Sequence, residues 1–450
     1  MERQSTICAP ATATGGAISI IRISGPDAVS IANSIFSKDI ADAQGYTLHY
    51  GEIPDVDDVV LSVYREARSY TGEDCVEISC HGSRYIVQTI LELLCRKGCR
   101  LAMPGEFTKR AFLNGKLDLA QAEAVADLIS STNKATHQMA MSQMRGGFSQ
   151  ELEQLRLQIL HLTSLLELEL DFSDHEDIEF ADRTEICKLN TQLLEKLQTL
   201  AESFKAGNAL KNGIPVAIIG APNVGKSTLL NTLLKEDKAI VSEIQGTTRD
   251  LIEDTVQIEG ITFRFIDTAG IRKTTDMIEQ LGIERSIRAA RNAQIVILLS
   301  QQGIPFPDIS ELEEEGQPMP AIIRVLNKCD LTLPDSSYLY HRQVMNQDIH
   351  ISSKTGAGLQ LLTDALIYKA QVPHISQNDV IVTNARHHQA LTLAIEDIMR
   401  TQQALADNLP GDLIAEDLRH CIHHLAEITG GEITSDEVLH NIFKNFCVGK

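Results

Sequence analysis

The chain has no tryptophan, and aromatic residues make up only 4% of its 450 positions. That scarcity argues against a protein built to stack single-stranded bases on aromatic rings. Positive charge is also short: 40 Lys and Arg stand against 61 Asp and Glu, a formal net charge of −21. A stand-alone nucleic-acid binder carries a basic footprint. Any work on RNA therefore needs local basic patches or a partner that supplies them. No apolar run approaches the length of a membrane span. The start, MERQSTICAPATATGG, lacks the apolar core of a secretory signal. Nine cysteines, an odd number scattered over a long chain, make a poor disulfide framework. The expectation is a reduced, cytoplasmic protein with no membrane association.

What is present is ordinary globular material, 43% hydrophobic and 22% charged. The length suggests two to four domains. Two cysteine groups invite a metal reading. Cys75, Cys80, Cys95 and Cys99 have spacings looser than the usual zinc pairs, and indifferent thiols are expected. His420, Cys421, His423 and His424 fall on a helical pattern with no carboxylate-rich signature, and are read as a solvated helix face.

The first ~120 residues read as mixed α/β by hydrophobic periodicity. Strands are expected at Ala17 to Ile23, Val59 to Tyr64 and Glu77 to Cys80. Ser83 to Arg96 reads as an amphipathic helix closed by Gly98, and Gly105 to Leu113 as a second. Asp118, with Gln121 three residues on, caps a helix through Ile129. Leu152, Leu155, Ile159, Leu162 and Leu166 then mark the stripe of a long helix. After the acidic stretch DFSDHEDIEF, read as a solvated linker, a further helix runs roughly from Arg183 to Gly207. From Ile214 to Val372, the strand-like runs VAIIG, TFRFIDT, QIVILLS, AIIRVLN and IHISS alternate with helices, the pattern of a doubly wound α/β domain. Beyond Pro373 the chain is helical again, one face marked by Leu413, Leu418, Ile422, Leu425 and Ile428. Helices on both sides of a complete α/β domain suggest that the domain is an insertion.

That domain opens on GAPNVGKST, Gly220 to Thr228, which fits G-x-x-x-x-G-K-[ST] between a strand and a helix. Backbone N–H groups of Asn223, Val224, Gly225 and their neighbours would turn on phosphates, aided by the helix N-terminus that Ser227 and Thr228 begin. Lys226 would reach the β- and γ-phosphates, and Ser227 would ligate Mg²⁺. In GTTRD, a hydroxyl such as that of Thr248 can complete the Mg²⁺ sphere. In Asp267-Thr268-Ala269-Gly270 the carboxylate can hold an Mg²⁺-bound water, and Gly270 can present its N–H to the γ-phosphate. Asn327-Lys328-Cys329-Asp330 ends another strand, and Asp330 can accept both N1–H and N2–H of guanine. Adenine offers neither donor there. Ser352-Ser353-Lys354 fits the loop that meets guanine O6, with Ser353 where alanine is usual. The order and spacing of the five elements point to GTP. Ile271 follows the Asp-Thr-Ala-Gly run where small signalling GTPases carry a water-orienting glutamine. Glu279 and Glu284 are candidates for that task; by spacing alone, both read as a solvated helix face.

GAPNVGKSTLLN, GTTRD, DTAGIR, LGIERS and NKCD resemble the GTPase group that contains Era, Der and MnmE. PGEFTKRAFLNGKLDLAQAEAVADLI, TGEDCVEISCHG and the ending ITGGEITSDEVLHNIFKNFCVGK are similar to the MnmE (TrmE) family. That family comprises the tRNA uridine 5-carboxymethylaminomethyl modification GTPases. The resemblance covers essentially the whole chain. It implies three domains: a folate-binding and dimerising α/β domain over 1–117, a helical domain in two segments over 118–212 and 373–450, and an inserted Ras-like GTPase domain over 213–372. It further implies a homodimer and K⁺ held by Asn223, Ser242, Ile244 and Thr247, with Ser242 and Thr247 also at the nucleotide. Glu279 matches the family's water-orienting glutamate, which decides between the two candidates. Arg22, Glu77, Lys116 and Lys450 match its folate site, and Cys447 a terminal cysteine sometimes given a catalytic part. The implied reaction takes a one-carbon unit from a tetrahydrofolate derivative (5,10-methylene, with 5-formyl as a binding form). It installs the aminomethyl or carboxymethylaminomethyl group at C5 of the wobble uridine of certain tRNAs. FAD enters only through a partner of the MnmG type, in a heterotetramer or larger assembly. The opening ATATGG lacks the proline common in the family's start. Era would need a KH-type domain and Der a second phosphate-binding loop; neither appears in the sequence.

Overall fold

The computed structural model describes residues 5–171, 183–236, 254–266, 289–310, 319–331, 348–370, 380–431, 439, 442–444, 446 and 449. The chain divides into two compact units. The first comprises Met1–Ser130, Met139–Thr199 and Arg386–Lys450, and the second Ser131–Gln138 and Leu200–Ala385.

The first unit begins with a six-stranded sheet. Its strands are β1 (Ile7–Pro10), β2 (Ile18–Ser24), β3 (Thr47–Ile53), β4 (Asp57–Tyr64), β5 (Cys75–His81) and β6 (Arg100–Leu101). They lie in the order β3-β4-β5-β2-β1-β6, antiparallel except for the β1–β6 pair. Three of these strands are the expected ones. Two helices, α1 (Ala28–Asn33) and α2 (Arg84–Arg96), cover one face of the sheet. There Val29, Val87, Ile90 and Leu94 pack on Ile21, Ile23, Leu61 and Ile78. On the other face Phe107, from α3 (Glu106–Leu113), packs with Ile7, Ala9 and Tyr70.

The helical part of this unit includes α4 (Leu119–Ser130), α6 (Gly147–Asp171), α10 (Ala385–Ala406) from Arg386 and α11 (Gly411–Thr429), together with α5 (Lys134–Met144) from Met139 and α7 (Arg183–Asn212) as far as Thr199, the rest of those two helices belonging to the second unit. The reciprocal cap of α4 forms as expected: Gln121 N–H donates to Asp118 Oδ1 at 2.8 Å, and Asp118 N–H to Gln121 Oε1 at 2.9 Å. All five residues of the α6 stripe are buried. The stripe on α11 needs correcting. Leu413 is 57% exposed, while Cys421 is fully buried together with Ile414, Leu418, Leu425 and Ile428. The buried face therefore runs through Cys421, so the segment from His420 to His424 is only partly a solvated surface. Carboxylates also reach it, one from a neighbouring helix and one from α11 itself: Asp397 of α10, Asp417 and His420 have ligand atoms within 4.8 Å of one another. Arg400 bridges the two aspartates, donating to Asp417 Oδ1 at 2.9 Å.

The four N-terminal thiols do not converge. Cys75 and Cys80 are five residues apart on one strand and so project to opposite faces. Burial pushes Cys75 up to about 12 and Cys80 up to about 11, which keeps both as thiols.

The second unit is built on another six-stranded sheet. Its strands are β7 (Ile214–Gly220), β8 (Asp254–Ile258), β9 (Ile261–Phe265), β10 (Ile295–Gln301), β11 (Ala321–Asn327) and β12 (Ile349–His350). Their order is β12-β11-β10-β7-β9-β8, parallel apart from β8. One face of the sheet packs under α8 (Lys226–Glu236) and α9 (Leu359–Ala370). The other buries Ala217, Val296 and Leu298 against Ala290 and Ala293. This is the expected doubly wound domain. The helix expected to stop near Gly207 instead runs through it to Asn212. A Cβ there would strike the Val382 carbonyl, so this glycine serves close packing and does not end the helix.

Candidate nucleotide and anion sites

In the second unit, β7 lies between β10 and β9, and the strand order reverses there. Open α/β sheets bind ligands at this reversal, outside the carboxyl ends of the strands. Gly220 ends β7 and Lys226 opens α8, so the phosphate-binding motif spans the turn between them. The first intrahelical bond runs from Leu229 N–H to Gly225 O at 2.9 Å. The N–H groups of the first turn therefore face the motif without intrahelical acceptors. Asn223 has a φ of 62° and Gly225 of 103°, the left-handed values that turn successive N–H groups inward. Gly225 is also a contact point: a Cβ would strike the Asn327 side-chain amide.

Lys226 Nζ donates to the carbonyls of Gly220 and Ala221 at 2.7 and 2.9 Å, which holds the ammonium over its own loop. Burial lowers its pKa. Ser227 and Thr228 stand in the first turn of the helix.

One motif of the base end meets this loop directly, and the other joins it through Asn327. Asn327 Nδ2 donates to Val224 O at 2.8 Å, and its Oδ1 accepts from Ser353 N–H at 2.9 Å. Lys328 Nζ donates to Asn223 O at 2.7 Å. Ser352 Oγ donates to Asp330 Oδ1 at 2.7 Å, which fixes the carboxylate while leaving the residue exposed at the rim. Ser352 and Ser353 are themselves buried, and Lys354 is exposed. Six phosphate-loop positions and six base-end positions are thus brought to one end of one sheet. Ser242, Ile244, Thr247, Thr248, Asp267, Thr268, Ala269, Gly270 and Glu279, expected at the site from the sequence, lie outside the described residues.

The first unit holds the second group. Arg22 on β2 and Glu77 on β5 are cross-strand partners. Arg22 Nε and a terminal guanidinium nitrogen both reach Glu77 Oε1 at 2.8 Å. The guanidinium lies 5.4 Å from the Tyr70 ring centroid and 5.7 Å from that of Phe107. Its remaining arm donates to Gly449 O at 3.2 Å, a residue 427 positions away. The C-terminal segment thus returns to the N-terminal sheet. Along the way Leu439 and Phe443 bury against Leu119 and Ala122. Lys116 lies at the loop through Gly72, and Lys450 and Cys447 lie outside the described residues.

Sequence reasoning missed Tyr70 and Phe107, whose rings flank Arg22, and it missed the brace beneath them. Arg110, 5% exposed, binds Glu73 at 3.1 Å and Glu106 at 3.1 Å, while Glu73 also accepts from Ser24 Oγ at 2.8 Å. The only signal for it was the run of charges in EFTKR, which reads equally well as a solvated face.

The family profile described as "GTP-binding protein TrmE N-terminus" matches residues 6–116, and that of the MnmE helical domain matches 119–447. The chain belongs to the MnmE family. A relative from Parabacteroides distasonis, named tRNA modification GTPase MnmE, is 53% identical across 99% of this chain and 100% of its own length. Relatives of the same name from Phocaeicola vulgatus and Bacteroides fragilis are 49% and 51% identical. They cover 100% and 99% of this chain and all of their own lengths. The family's combination of a helical domain and a G-domain-like fold agrees with the two units described above.

Proposed function

We propose that this protein is a GTPase of tRNA modification, hydrolysing GTP to GDP and phosphate within the cycle that alters the wobble uridine. The observation that carries the reading is the bonding of Asn327 and Lys328 to the phosphate loop at one strand reversal, with Ser353 bonded to Asn327 and Ser352 to Asp330 beside them. It occurs in a chain about half identical, end to end, to tRNA modification GTPases.

In this reading the phosphates lie on the loop from Asn223 to Thr228, and Mg²⁺ is held by Ser227 and Thr248. Asp267 to Gly270 faces the γ-phosphate, and Glu279 orients the attacking water in place of the missing glutamine. Asn223, Ser242, Ile244 and Thr247 would hold K⁺, whose charge stabilises the transferring phosphoryl group. Asn223 is exposed in its left-handed turn with its carbonyl engaged by Lys328, which leaves the side-chain oxygen as the donor suited to a hard cation. Turnover of GTP is expected to be several-fold faster in KCl than in NaCl, and Asn223→Ala should abolish that advantage. Equal rates in the two salts would remove K⁺ from the mechanism.

The folate reading rests on Arg22, Glu77, Lys116 and Lys450. A tetrahydrofolate offers carboxylates to cations and pterin N–H donors to a carboxylate. The donor set at Arg22 fits, because a guanidinium and a carboxylate stand side by side, with two aromatic rings within about 6 Å of the guanidinium. Titration with 5-formyltetrahydrofolate should give saturable binding that Arg22→Ala weakens at least tenfold, about 1.4 kcal/mol. No binding to the parent protein would end this part of the reading.

We place the domain boundaries at 1–117, 118–212, 213–372 and 373–450. The working assembly is a homodimer joined by an MnmG-type protein that carries FAD and much of the RNA surface. That division of labour suits a chain with a net charge of −21. Cys447 is kept as a candidate catalytic thiol. Among the described residues no helix is long and apolar enough to cross a membrane, and we assign the protein to the cytoplasm.

A further inference from the structure

We propose that the Ser353 hydroxyl is a positioning group that braces the guanine end of the nucleotide site against its phosphate end and slows nucleotide release. The inference rests on the guanine-nucleotide reading above. Serine stands here where alanine is usual, so the hydroxyl is an addition to the motif.

The hydroxyl has a defined target. Asn327 is 4% exposed, and its amide is shared between two loops. Its Nδ2 donates to Val224 O in the phosphate loop at 2.8 Å. Its Oδ1 accepts twice from Ser353, from the backbone N–H at 2.9 Å and from Oγ at 2.9 Å. An amide oxygen has two lone pairs, and both are occupied here. The amide therefore cannot rotate without losing two bonds at Ser353 and one at Val224.

Ser353 is in turn fixed from a third direction. Thr232 Oγ1 of α8 stands 2.8 Å from its carbonyl and 2.8 Å from Thr228 O, so one hydroxyl proton is shared between the two acceptors. Its N–H and hydroxyl are thus committed to the end of β11, and its carbonyl shares a donor on the helix that follows the phosphate loop. Ser353 is 3% exposed, so no competing water bond offsets these contacts. Alanine would retain the N–H bond and leave one lone pair of a buried oxygen unfilled.

A nucleotide held at both ends leaves when the two loops part. Each bond in the chain Ser353–Asn327–Val224 that joins them raises that barrier, and one neutral buried hydrogen bond corresponds to about a three- to tenfold change in rate. The hydroxyl touches neither base nor phosphate in this account; it acts through Asn327.

The test is release of N-methylanthraniloyl-GDP from the full-length protein, chased with excess GDP and followed by stopped-flow fluorescence. Ser353→Ala should speed release about three- to tenfold, with the association rate nearly unchanged. Thr232→Val should speed it too, since it frees the same residue at its carbonyl. Thermal unfolding of the nucleotide-free protein separates positioning from general loosening. A lower melting temperature with unchanged release would make Ser353 a purely structural residue and overturn the proposal. Unchanged release with unchanged stability overturns it equally. Failure of the parent protein to bind the probe would instead refute the guanine-nucleotide reading, and this inference would fall with it.

Discussion

Replacing Asp330 with asparagine is expected to lower affinity for GTP by about 10⁴-fold and to raise affinity for xanthosine triphosphate. The carboxylate sits just beyond β11, and Ser352 Oγ holds one of its oxygens at 2.7 Å. It is therefore oriented before any base arrives. Guanine would bring two N–H donors to two acceptor oxygens. Asparagine keeps the shape but turns one acceptor into a donor, which sets N–H against N–H at the base edge. Xanthine carries a carbonyl where guanine carries its amino group, so the same amide then finds an acceptor. The phosphate contacts of Lys226 and the loop N–H groups are untouched, so the loss should be confined to base discrimination. Competition binding with GDP and xanthosine diphosphate reads this directly. Retention of parental GDP affinity by Asp330→Asn would remove Asp330 from base recognition.

The nucleotide site was legible because each of its parts is a short local pattern. Gly220 to Thr228 joins an apolar strand to an apolar helix, and Asn327 to Asp330 begins on the last residue of a seven-residue strand. Those cues survive without any knowledge of the fold. The α6 stripe and the Asp118–Gln121 cap were legible for the same reason, since helix geometry relates residues three and four apart.

Where reading failed, the local pattern was absent or inverted. On β3 the large apolar residues point outward: Leu48 is 72% exposed and Tyr50 is 62% exposed. The inward positions include Gly51, whose bare backbone admits Phe36. An alternation read by hydrophobicity puts that strand the wrong way round. β1 and β6 are four and two residues long, too short for any period to show. On α11, counting only aliphatic residues admitted Leu413 and missed Cys421, although a free thiol is among the side chains most often buried. Contacts spanning hundreds of residues leave no trace in a single sequence. The bond from Arg22 to Gly449 is one such contact. Only the family resemblance, through Lys450, drew attention to that end of the chain.

The largest stability effect is expected from another such contact. Glu123 of α4 lies 263 residues from Arg386, whose Nε donates to its Oε1 at 3.0 Å. His387 Nε2 stands 2.7 Å from the other carboxylate oxygen, and its ring packs against Phe148 with centroids 5.3 Å apart. Arg386 also donates to the carbonyls of Glu427 and Ile428 at 2.7 and 3.0 Å, at the negative end of α11. The side chains of Glu123 and His387 are only 10% and 2% exposed. One carboxylate thus joins α4 to the start of α10 and, through Arg386, to the end of α11. Removing it leaves a cation and an imidazole without their buried partner, which costs about 3–5 kcal/mol. Glu123→Ala should lose that much in urea unfolding, and Glu123→Gln less, since it keeps one acceptor. The same group sets an acid limit. Burial pushes the Glu123 carboxyl up, but bonding and charge from His387 and Arg386 outweigh it, and the net pKa is lowered. A depressed folded-state pKa contributes stability above the unfolded value of 4.5 and loses it as pH falls through the lower folded value. The parent should therefore weaken progressively below about pH 4.5, and Glu123→Gln should show a shallower fall over that range. A Glu123→Ala protein within about 1 kcal/mol of the parent would show the three-residue contact to be energetically idle.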